Sequence, residues 1–137
     1  MMTVVIDCNI IVMCLTSRSP YYIIYKFLTQ GKFNLAINTE ILLEYEEIIQ
    51  KKYGVPAASA FISLLKELPN IHYNISYYKW QLIKNDVDDN KYCDCVIAGE
   101  ASFLVTEDKH FSVLKNISFP EIKVLSIDNF VNLLEIM

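Results

Sequence analysis

The sequence predicts an α/β fold of three layers (α/β/α), in which a mainly parallel central sheet is covered by helices on both faces. Short β-branched segments alternate with longer segments that repeat apolar residues at helical spacing. The chain has only 3 Gly and 4 Pro, and 53% of its residues are hydrophobic, which excludes a disordered or low-complexity protein. At 137 residues it has the length of one domain, so we expect a single domain over residues 1–137.

The first half of the chain predicts two strands and three helices. The opening segment TVVID is short and β-branched, as in a buried strand. After the loop SRSP, the segment YYIIYKFLTQ indicates a helix that ends just before Gly31. A second strand, FNLAIN, leads to Thr39, the expected N-cap of the helix EILLEYEEIIQKKY. Pro56 opens the next helix, AASAFISLLKEL, and Pro69 stops it.

The second half continues this alternation without an internal repeat, a linker or a run of charge. Such an alternation favours a parallel sheet, because parallel strands need a crossover that a helix usually supplies. The predicted elements, in order, are the strand IHYNIS, a short helix YYKWQLI, the helix KYCDCVIAGEA, the strand FLVT, a short helix KHFSVLKN, the strand IKVLS and the terminal helix IDNFVNLLEIM.

Charge and hydropathy exclude several classes of protein. A net charge of −4 disfavours a protein that binds nucleic acid through bulk electrostatics. No apolar run approaches the roughly 20 residues of a membrane span, and the first segment carries an Asp where a signal peptide is uncharged. We therefore expect a cytoplasmic protein without membrane contact. The cysteines lack a CxxC spacing and lie in apolar segments, which is typical of buried thiols in a reducing compartment; they are Cys8, Cys14, Cys93 and Cys95.

Acids stand where two predicted strands end. Asp7 ends the first strand, and Asp108 follows the strand FLVT. Ligands of parallel α/β sheets bind at the carboxyl ends of strands, so these two acids become neighbours if their strands are adjacent. A single Asp in such a place is more often a turn or cap residue than a ligand.

Two predicted helices add one acid each. Glu44 is the acid nearest the apolar stripe of its helix, whereas Glu46 lies farther toward solvent. Asp94 falls beside the small residue Ala98, which would let its side chain reach inward. Each acid alone could be a solvated helix charge or a partner of the helix dipole. Their joint placement favours one shared site.

The loop before the Asp94 helix is crowded with acids: Asp86, Asp88 and Asp89. These are expected to be mainly polar loop residues, with Asp89 the best placed to touch an ion through water. Oxygen ligands favour Mg²⁺ or Mn²⁺ over zinc. An EF-hand is excluded because Lys91 stands where the calcium loop needs Gly, and a DxD phosphatase because Asn9 replaces the second Asp. Metal-assisted phosphodiester hydrolysis by one or two ions remains.

Four segments that together span essentially the whole chain carry a family resemblance: VVIDCNIIV, ILLEYEEII, DVDDNKYCDCVIAGEASFLVTEDKHF and KVLSIDNFVNLL. They resemble PIN domains, and specifically the small PIN-family ribonuclease toxins of bacterial toxin–antitoxin pairs. The resemblance implies a Mg²⁺- or Mn²⁺-dependent endoribonuclease with an RNA substrate, a small antitoxin protein as partner and a homodimeric assembly.

The resemblance also implies roles for individual residues. The family's acidic quartet, which would be both catalytic and metal-binding, corresponds to Asp7, Glu44, Asp94 and Asp108. Asn9 and Thr106 would support these acids. Two positions depart from the family pattern: Ser102 stands where relatives often have Asp, and Glu107 where Gly is common. Independently of the resemblance, the candidate phosphate contacts are Arg18, Lys91, Lys109 and His110.

One alternative of a different class stays open, namely a non-catalytic RNA- or partner-binding module that retains the fold. The intact quartet favours the enzyme. The aromatic content, nine Tyr, seven Phe and one Trp, indicates more apolar surface than a small core needs, and YYIIYKF is the segment expected to form the surface of a homodimer.

Overall fold

A computed structural model describes residues 1–84 and 86–137 of the chain. Its centre is a five-stranded sheet in the order β3-β2-β1-β4-β5, and every neighbouring pair of strands is parallel. The parallel α/β class predicted from the sequence is therefore confirmed. The strands are β1 (Thr3–Ile6), β2 (Asn34–Ile37), β3 (Ile71–Tyr73), β4 (Phe103–Val105) and β5 (Val124–Leu125).

Helices connect the strands and bury them. The helices are α1 (Cys8–Cys14), α2 (Tyr22–Thr29), α3 (Thr39–Tyr53), α4 (Val55–Glu67), α5 (Asn90–Ala98) and α6 (Ile127–Glu135), with 3-10 turns at Val87–Asp89 and Lys109–Asn116. The side chains of β1 and β2 that face the helices are fully buried, as parallel strands with covered faces require. Within the part of the chain that is described, no helix is both long and apolar enough to cross a membrane.

Helix α1 was not predicted. It begins directly after Asp7, whose side chain accepts a hydrogen bond from the N–H of Asn9 and caps the helix. The segment CNIIVMC is short, β-branched and apolar almost throughout, so it shows no helical periodicity that could be separated from a strand. Tertiary packing decides its conformation, because α1 lies against α2 and α3.

The prediction of a short helix at YYKWQLI is wrong, since residues 77–83 contain no helix. Side chains of α5 form hydrogen bonds with backbone groups of this segment, which would pair with one another in a helix. Asp94 accepts from the N–H of Trp80, and the Asn90 amide bonds both the N–H and the carbonyl of Ile83. The expected cap of α3 is displaced by one residue, because Asn38 rather than Thr39 accepts from the backbone of that helix.

The strand order places the end of β1 at the centre of the molecule. The chain builds β1, β2 and β3 in one direction and then returns to the other side of β1 for β4 and β5. The strand order therefore reverses between β1 and β4, where α/β sheets open a crevice for ligands. Asp7 extends the ladder of hydrogen bonds here, with its N–H 3.0 Å from the carbonyl oxygen of Val105.

Candidate functional site

Asp7 lies almost fully buried at this crevice, with 4% of its surface exposed. The hydroxyl of Thr106 donates to Asp7 Oδ2 at 2.7 Å, and the backbone N–H of Asn9 donates to Oδ1 at 3.4 Å. Burial raises the pKa of Asp7, the bonds from Thr106 and Asn9 oppose this rise, and the charge of Glu44 adds to it. Asp7 is thus a desolvated carboxylate with a fixed orientation.

Thr106 connects Asp7 to Asp108. Its Oγ1 accepts from the N–H of Asp108 at 3.0 Å while its hydroxyl hydrogen points to Asp7. Asp108 in turn caps the following 3-10 turn, where its Oδ1 accepts from the N–H of His110 at 2.9 Å. The sequence predicted both acids at strand ends, and the structure brings them together through one shared threonine.

Asp89 also belongs to this cluster. The His110 Nδ1 atom lies 3.3 Å from Asp89 Oδ2, 3.3 Å from Asp108 Oδ1 and 3.8 Å from Asp86 Oδ2. Burial raises the pKa of Asp89 from 3.8 to about 6, and the charges of Asp108, Asp86 and, more weakly, Asp7 contribute to the rise. From the sequence, Asp89 is expected to be a loop acid that touches an ion through water; in the structure it shares its electrostatic surroundings with Asp7 and Asp108.

Glu44 approaches Asp7 from α3. The buried stripe of this helix, Ile41, Tyr45 and Ile49, turns Glu44 toward the sheet, whereas Glu46 stays exposed. Oxygen atoms of Glu44 and Asp7 and the sulfur of Cys8 all lie within 4.8 Å of one another. The helical-face argument from the sequence therefore gave the correct orientation for Glu44.

Two neighbours on α5 hold the Glu44 carboxylate. The ammonium of Lys91 lies 2.8 Å from Oε2, and the hydroxyl of Tyr92 donates to Oε1. Lys91 also contacts Asp88, through the backbone carbonyl at 2.9 Å and the carboxylate at 3.2 Å, and its side chain is only 5% exposed. Lys91 was expected to contact phosphate, but the structure places its charge in a buried ion pair.

Asp94 is not brought to the other acids. It is buried, as predicted, but its Oδ1 accepts from the N–H of Trp80 at 3.0 Å. Burial raises the pKa of Asp94, and the charge of Glu40 raises it further. The hydrogen bond from the Trp80 N–H and the charge of Lys79 lower it. The side chain of Asp94 is bonded to the loop before α5, whereas Asp89, directly before the helix, contacts the His110 ring that also contacts Asp108.

The remaining predicted residues lie at the surface. Arg18 and Lys109 are exposed, and the ring of His110 is partly exposed at the rim of the acidic cluster. Asn9 is exposed too, and its contact with Asp7 comes from its backbone. Ser102 and Glu107, the two departures from the family pattern, are exposed residues, and the carboxylate of Glu107 accepts from the N–H of Ile127 at 2.6 Å.

Sequence reasoning missed Tyr92. Its ring is completely buried, and its hydroxyl accepts from the N–H of Cys8 at 3.1 Å while donating to Glu44. Burial raises the pKa of Tyr92, so the hydroxyl keeps its proton and remains a donor. The one available signal is that a buried tyrosine needs a partner for its hydroxyl, and the sequence does not say which partner.

The donor atoms fit a hard divalent cation. Two groups of side chains have their donor atoms within 4.8 Å of one another, namely Asp7, Cys8 and Glu44, and Asp86, Asp89 and His110. Burial raises the pKa of Cys8, so the thiol stays protonated and does not act as a thiolate ligand. The carboxylate oxygens that remain favour Mg²⁺ or Mn²⁺.

Comparison with known proteins agrees with this fold. No functionally curated protein matches the sequence at a significant level. A chain of VapBC2 from Rickettsia felis, solved bound to a DNA fragment from their promoter, has 19% sequence identity and a TM-score of 0.61, and the match covers 91% of this chain and 98% of that one. The sequence profile of PIN domains matches residues 3–110, a range that contains every acid of the cluster. The chain therefore belongs to the PIN-domain family.

Proposed function

We propose that the chain is a Mg²⁺- or Mn²⁺-dependent endoribonuclease and the toxin of a toxin–antitoxin pair. One observation carries this proposal. Asp7, Asp89 and Asp108, from three different elements, share one electrostatic environment at the switch point of the sheet in a chain of the PIN family. Independent surface acids have no reason to gather there, because like charges that lie close together repel one another.

The proposed ligands are these three carboxylates, with Glu44 beside them. This assignment substitutes Asp89 for Asp94 of the predicted quartet, because Asp94 is bonded to the backbone of Trp80. An ion bound here would activate a water molecule and neutralise charge on the scissile phosphate. The oxygen-only donor set is the one such an ion prefers.

The chain's own residues hold this arrangement in place. Thr106 fixes the orientation of Asp7 and ties it to the backbone of Asp108. Lys91 and Tyr92 hold the Glu44 carboxylate in a fixed orientation beside Asp7. His110 lies at the exposed rim, and we propose that its ring contacts a phosphate of the RNA backbone.

The proposed toxin function implies a partner protein. The solved neighbour is a VapBC2 assembly on DNA from its promoter, which supports a small antitoxin as partner of this chain, encoded by an adjacent gene. We also propose a homodimer that acts in the cytoplasm on RNA.

A non-catalytic RNA- or partner-binding module is the second candidate. One observation favours it: Lys91 already neutralises Glu44, and His110 lies among three carboxylates, so side chains of the protein could stand where a cation would. Such a protein would keep the fold and bind without cleaving.

A cleavage assay separates the two candidates. Purified protein is incubated with labelled RNAs in the presence of Mg²⁺, Mn²⁺ or a chelator. We expect cleavage with either ion and none with the chelator. Cleavage that continues undiminished in chelator would contradict the metal-dependent reading, and RNA binding without cleavage under every condition would support the module.

A further inference from the structure

Lys91 carries a buried positive charge next to Glu44. Its ammonium lies 2.8 Å from Glu44 Oε2, 2.9 Å from the carbonyl oxygen of Asp88 and 3.2 Å from Asp88 Oδ2, and its side chain is 5% exposed. Three oxygen atoms therefore surround the nitrogen, two from carboxylates and one from a backbone carbonyl. Oxygen atoms of these same classes bind hard divalent cations in proteins.

The burial of this ion pair points to a role in the site. Another ion pair of the chain, Lys51 with Glu47, lies at the surface, where the two side chains are 69% and 63% exposed. The side chain of Glu44, by contrast, is only 21% exposed. Burying an ammonium and a carboxylate costs hydration energy that their attraction does not always offset, so a buried pair is a weak means of stabilising a fold. A charge kept in such a place fits an electrostatic role in the site.

The location of the ammonium is fixed by the elements around it. The backbone carbonyl of Lys91 accepts from Nδ2 of Asn38 at 3.2 Å, and Asn38 caps α3, the helix that carries Glu44. Asp88 is held in its turn by Asp86, whose Oδ1 accepts from the Asp88 N–H at 3.1 Å. The ammonium therefore has a preset position between α3 and α5.

This positive charge serves one side of the site and leaves the other side open. Oxygen atoms of Glu44 and Asp7 lie within 4.8 Å of each other, so the ammonium is placed next to the centre of the site. Within residues 1–84 and 86–137, no lysine or arginine forms an ion pair with Asp7, Asp89 or Asp108. These three acids therefore remain available to a divalent ion, whereas Glu44 already has its cation.

We propose that the ammonium of Lys91 takes the place of a second divalent ion, so that the site binds one Mg²⁺ or Mn²⁺ rather than two. A lysine ammonium is a compact point charge, which lets it replace the electrostatic contribution of an ion at this position. The single ion would be held by Asp7, Asp89 and Asp108. This inference rests on the proposed function and deepens it, since it states how many ions the nuclease uses.

The position of the ammonium is open to an ion when the side chain is removed. A cavity of about 900 Å³ lies beside it, and both Lys91 and Asp88 line this cavity. Lys91→Ala removes the ammonium and leaves the oxygen atoms of Glu44 and Asp88 without their cation. We therefore expect this variant to bind a second divalent ion where the parent chain holds its own positive charge.

Manganese binding measures the number of ions directly. The full chain is stripped with chelator, dialysed and titrated with Mn²⁺, and the electron paramagnetic resonance signal of free aqueous Mn²⁺ gives the amount that stays unbound. We expect one tightly bound ion per chain in the parent and two in Lys91→Ala. The matched control is Lys51→Ala, which removes the same charge from the exposed pair with Glu47 and should keep one ion.

Thermal unfolding and a double variant separate this role from a purely structural one. Lys91→Ala leaves the Glu44 carboxylate unpaired, so its melting temperature in chelator should fall below that of the parent, and Mn²⁺ should raise it by more. A lysine that only joined α5 to α3 would lower the melting temperature in the same way but would add no ion when removed. Glu44→Gln/Lys91→Ala removes both charges of the pair and should return to one bound ion; this variant and the parent keep the test decisive if the single variant does not fold.

The counts of bound ions also separate this inference from the proposed function. Two ions in the parent chain, one ion in both the parent and Lys91→Ala, or two ions in the double variant would overturn the inference and leave the metal-dependent nuclease intact. No bound Mn²⁺ in either the parent or Lys91→Ala would contradict the metal-dependent nuclease itself and overturn the inference with it.

Discussion

Asp7 is the acid whose surroundings the structure defines most tightly, because Thr106, Asn9 and Glu44 all act on its carboxylate. Asp7→Asn keeps the shape and removes the charge that would hold a cation. We expect RNA cleavage to fall by more than the roughly 10- to 100-fold that loss of a supporting group costs, with the fold retained. Initial rates of cleavage in Mn²⁺ measure this.

The matched control for this change is Glu46→Gln on the solvent side of α3. It removes a carboxylate of the same helix that presents Glu44 without touching the site, so the rate should be unchanged. If Glu46→Gln loses as much activity as Asp7→Asn, the assignment of the site is wrong.

We assign to Asp89 the metal-ligand position that the family resemblance gives to Asp94, and a pair of variants tests this assignment. A ligand that binds only the folded protein stabilises it by about 2.7 kcal/mol at a hundred times its dissociation constant. We expect Asp89→Asn to lose most of the gain in melting temperature that Mn²⁺ produces, and Asp94→Asn to keep it, because Asp94 is bonded to Trp80. Melting curves with and without Mn²⁺ measure both. The opposite pattern would restore Asp94 to the quartet that the family resemblance implies.

At the scale of elements, α5 organises the site. Three of its residues bind neighbouring elements: Asn90 and Asp94 bind the loop, at Ile83 and Trp80, and Lys91 binds α3 at Glu44. A single short helix therefore fixes both the acid on α3 and the loop that contains Trp80 and Ile83.

Asn90→Ala tests this role of α5. The buried amide of Asn90 donates to the Ile83 carbonyl at 2.9 Å and accepts from the Ile83 N–H at 2.8 Å. Its removal leaves two backbone groups without partners, and we expect a loss of about 2–4 kcal/mol in the free energy of unfolding, measured by urea denaturation. Asn116→Ala, at an exposed position, is the control and should change stability by less than about 0.5 kcal/mol. Equal effects of the two changes would show that the Asn90 bonds do not hold the loop.

At the scale of the whole molecule, the buried acids make stability depend on pH. The pKa of Asp89 rises on folding from 3.8 to about 6, and burial also raises the pKa of Asp7. A carboxyl with a raised pKa binds its proton more tightly in the folded state. The folded protein therefore loses stability as pH increases from the unfolded value through about 6, and the loss is complete above that range.

We accordingly expect the metal-free protein to be more stable near pH 5 than near pH 8 as far as this site is concerned, with Mn²⁺ reversing the difference at neutral pH. Asp89→Asn should flatten the pH dependence of the melting temperature relative to the parent chain. An identical pH profile for parent and variant would show that Asp89 does not titrate in this range.

The homodimer predicted from YYIIYKF stays a prediction. In the structure most of that segment is half-buried rather than exposed, as α2 packs on α1 and α6. Tyr25 nevertheless borders an apolar groove of about 560 Å³ with Tyr53 and Phe61. Sedimentation should show a dimer at micromolar concentration, and only monomer across that range would rule it out.

The sequence by itself determined the α/β class, the parallel sheet and the places of Asp7, Asp108 and Glu44. These follow from local patterns. Residue spacing sets the periodicity of each element, an acid next to an apolar run marks the end of a strand, and an apolar stripe fixes the direction of a neighbouring glutamate. The same local patterns carried no signal for α1, whose residues are apolar at almost every position.

Only the tertiary structure decided the order of the strands and the partners of the side chains on α5. Asp89 and Asp94 have the same chemistry and lie five positions apart, which turns them to different sides of the helix. Which side meets Asp108 and which meets Trp80 depends on how α5 lies on the sheet. The pairing of Lys91 with Glu44 likewise joins residues far apart in the chain. Such contacts are set by packing between elements, which no local pattern in the sequence encodes.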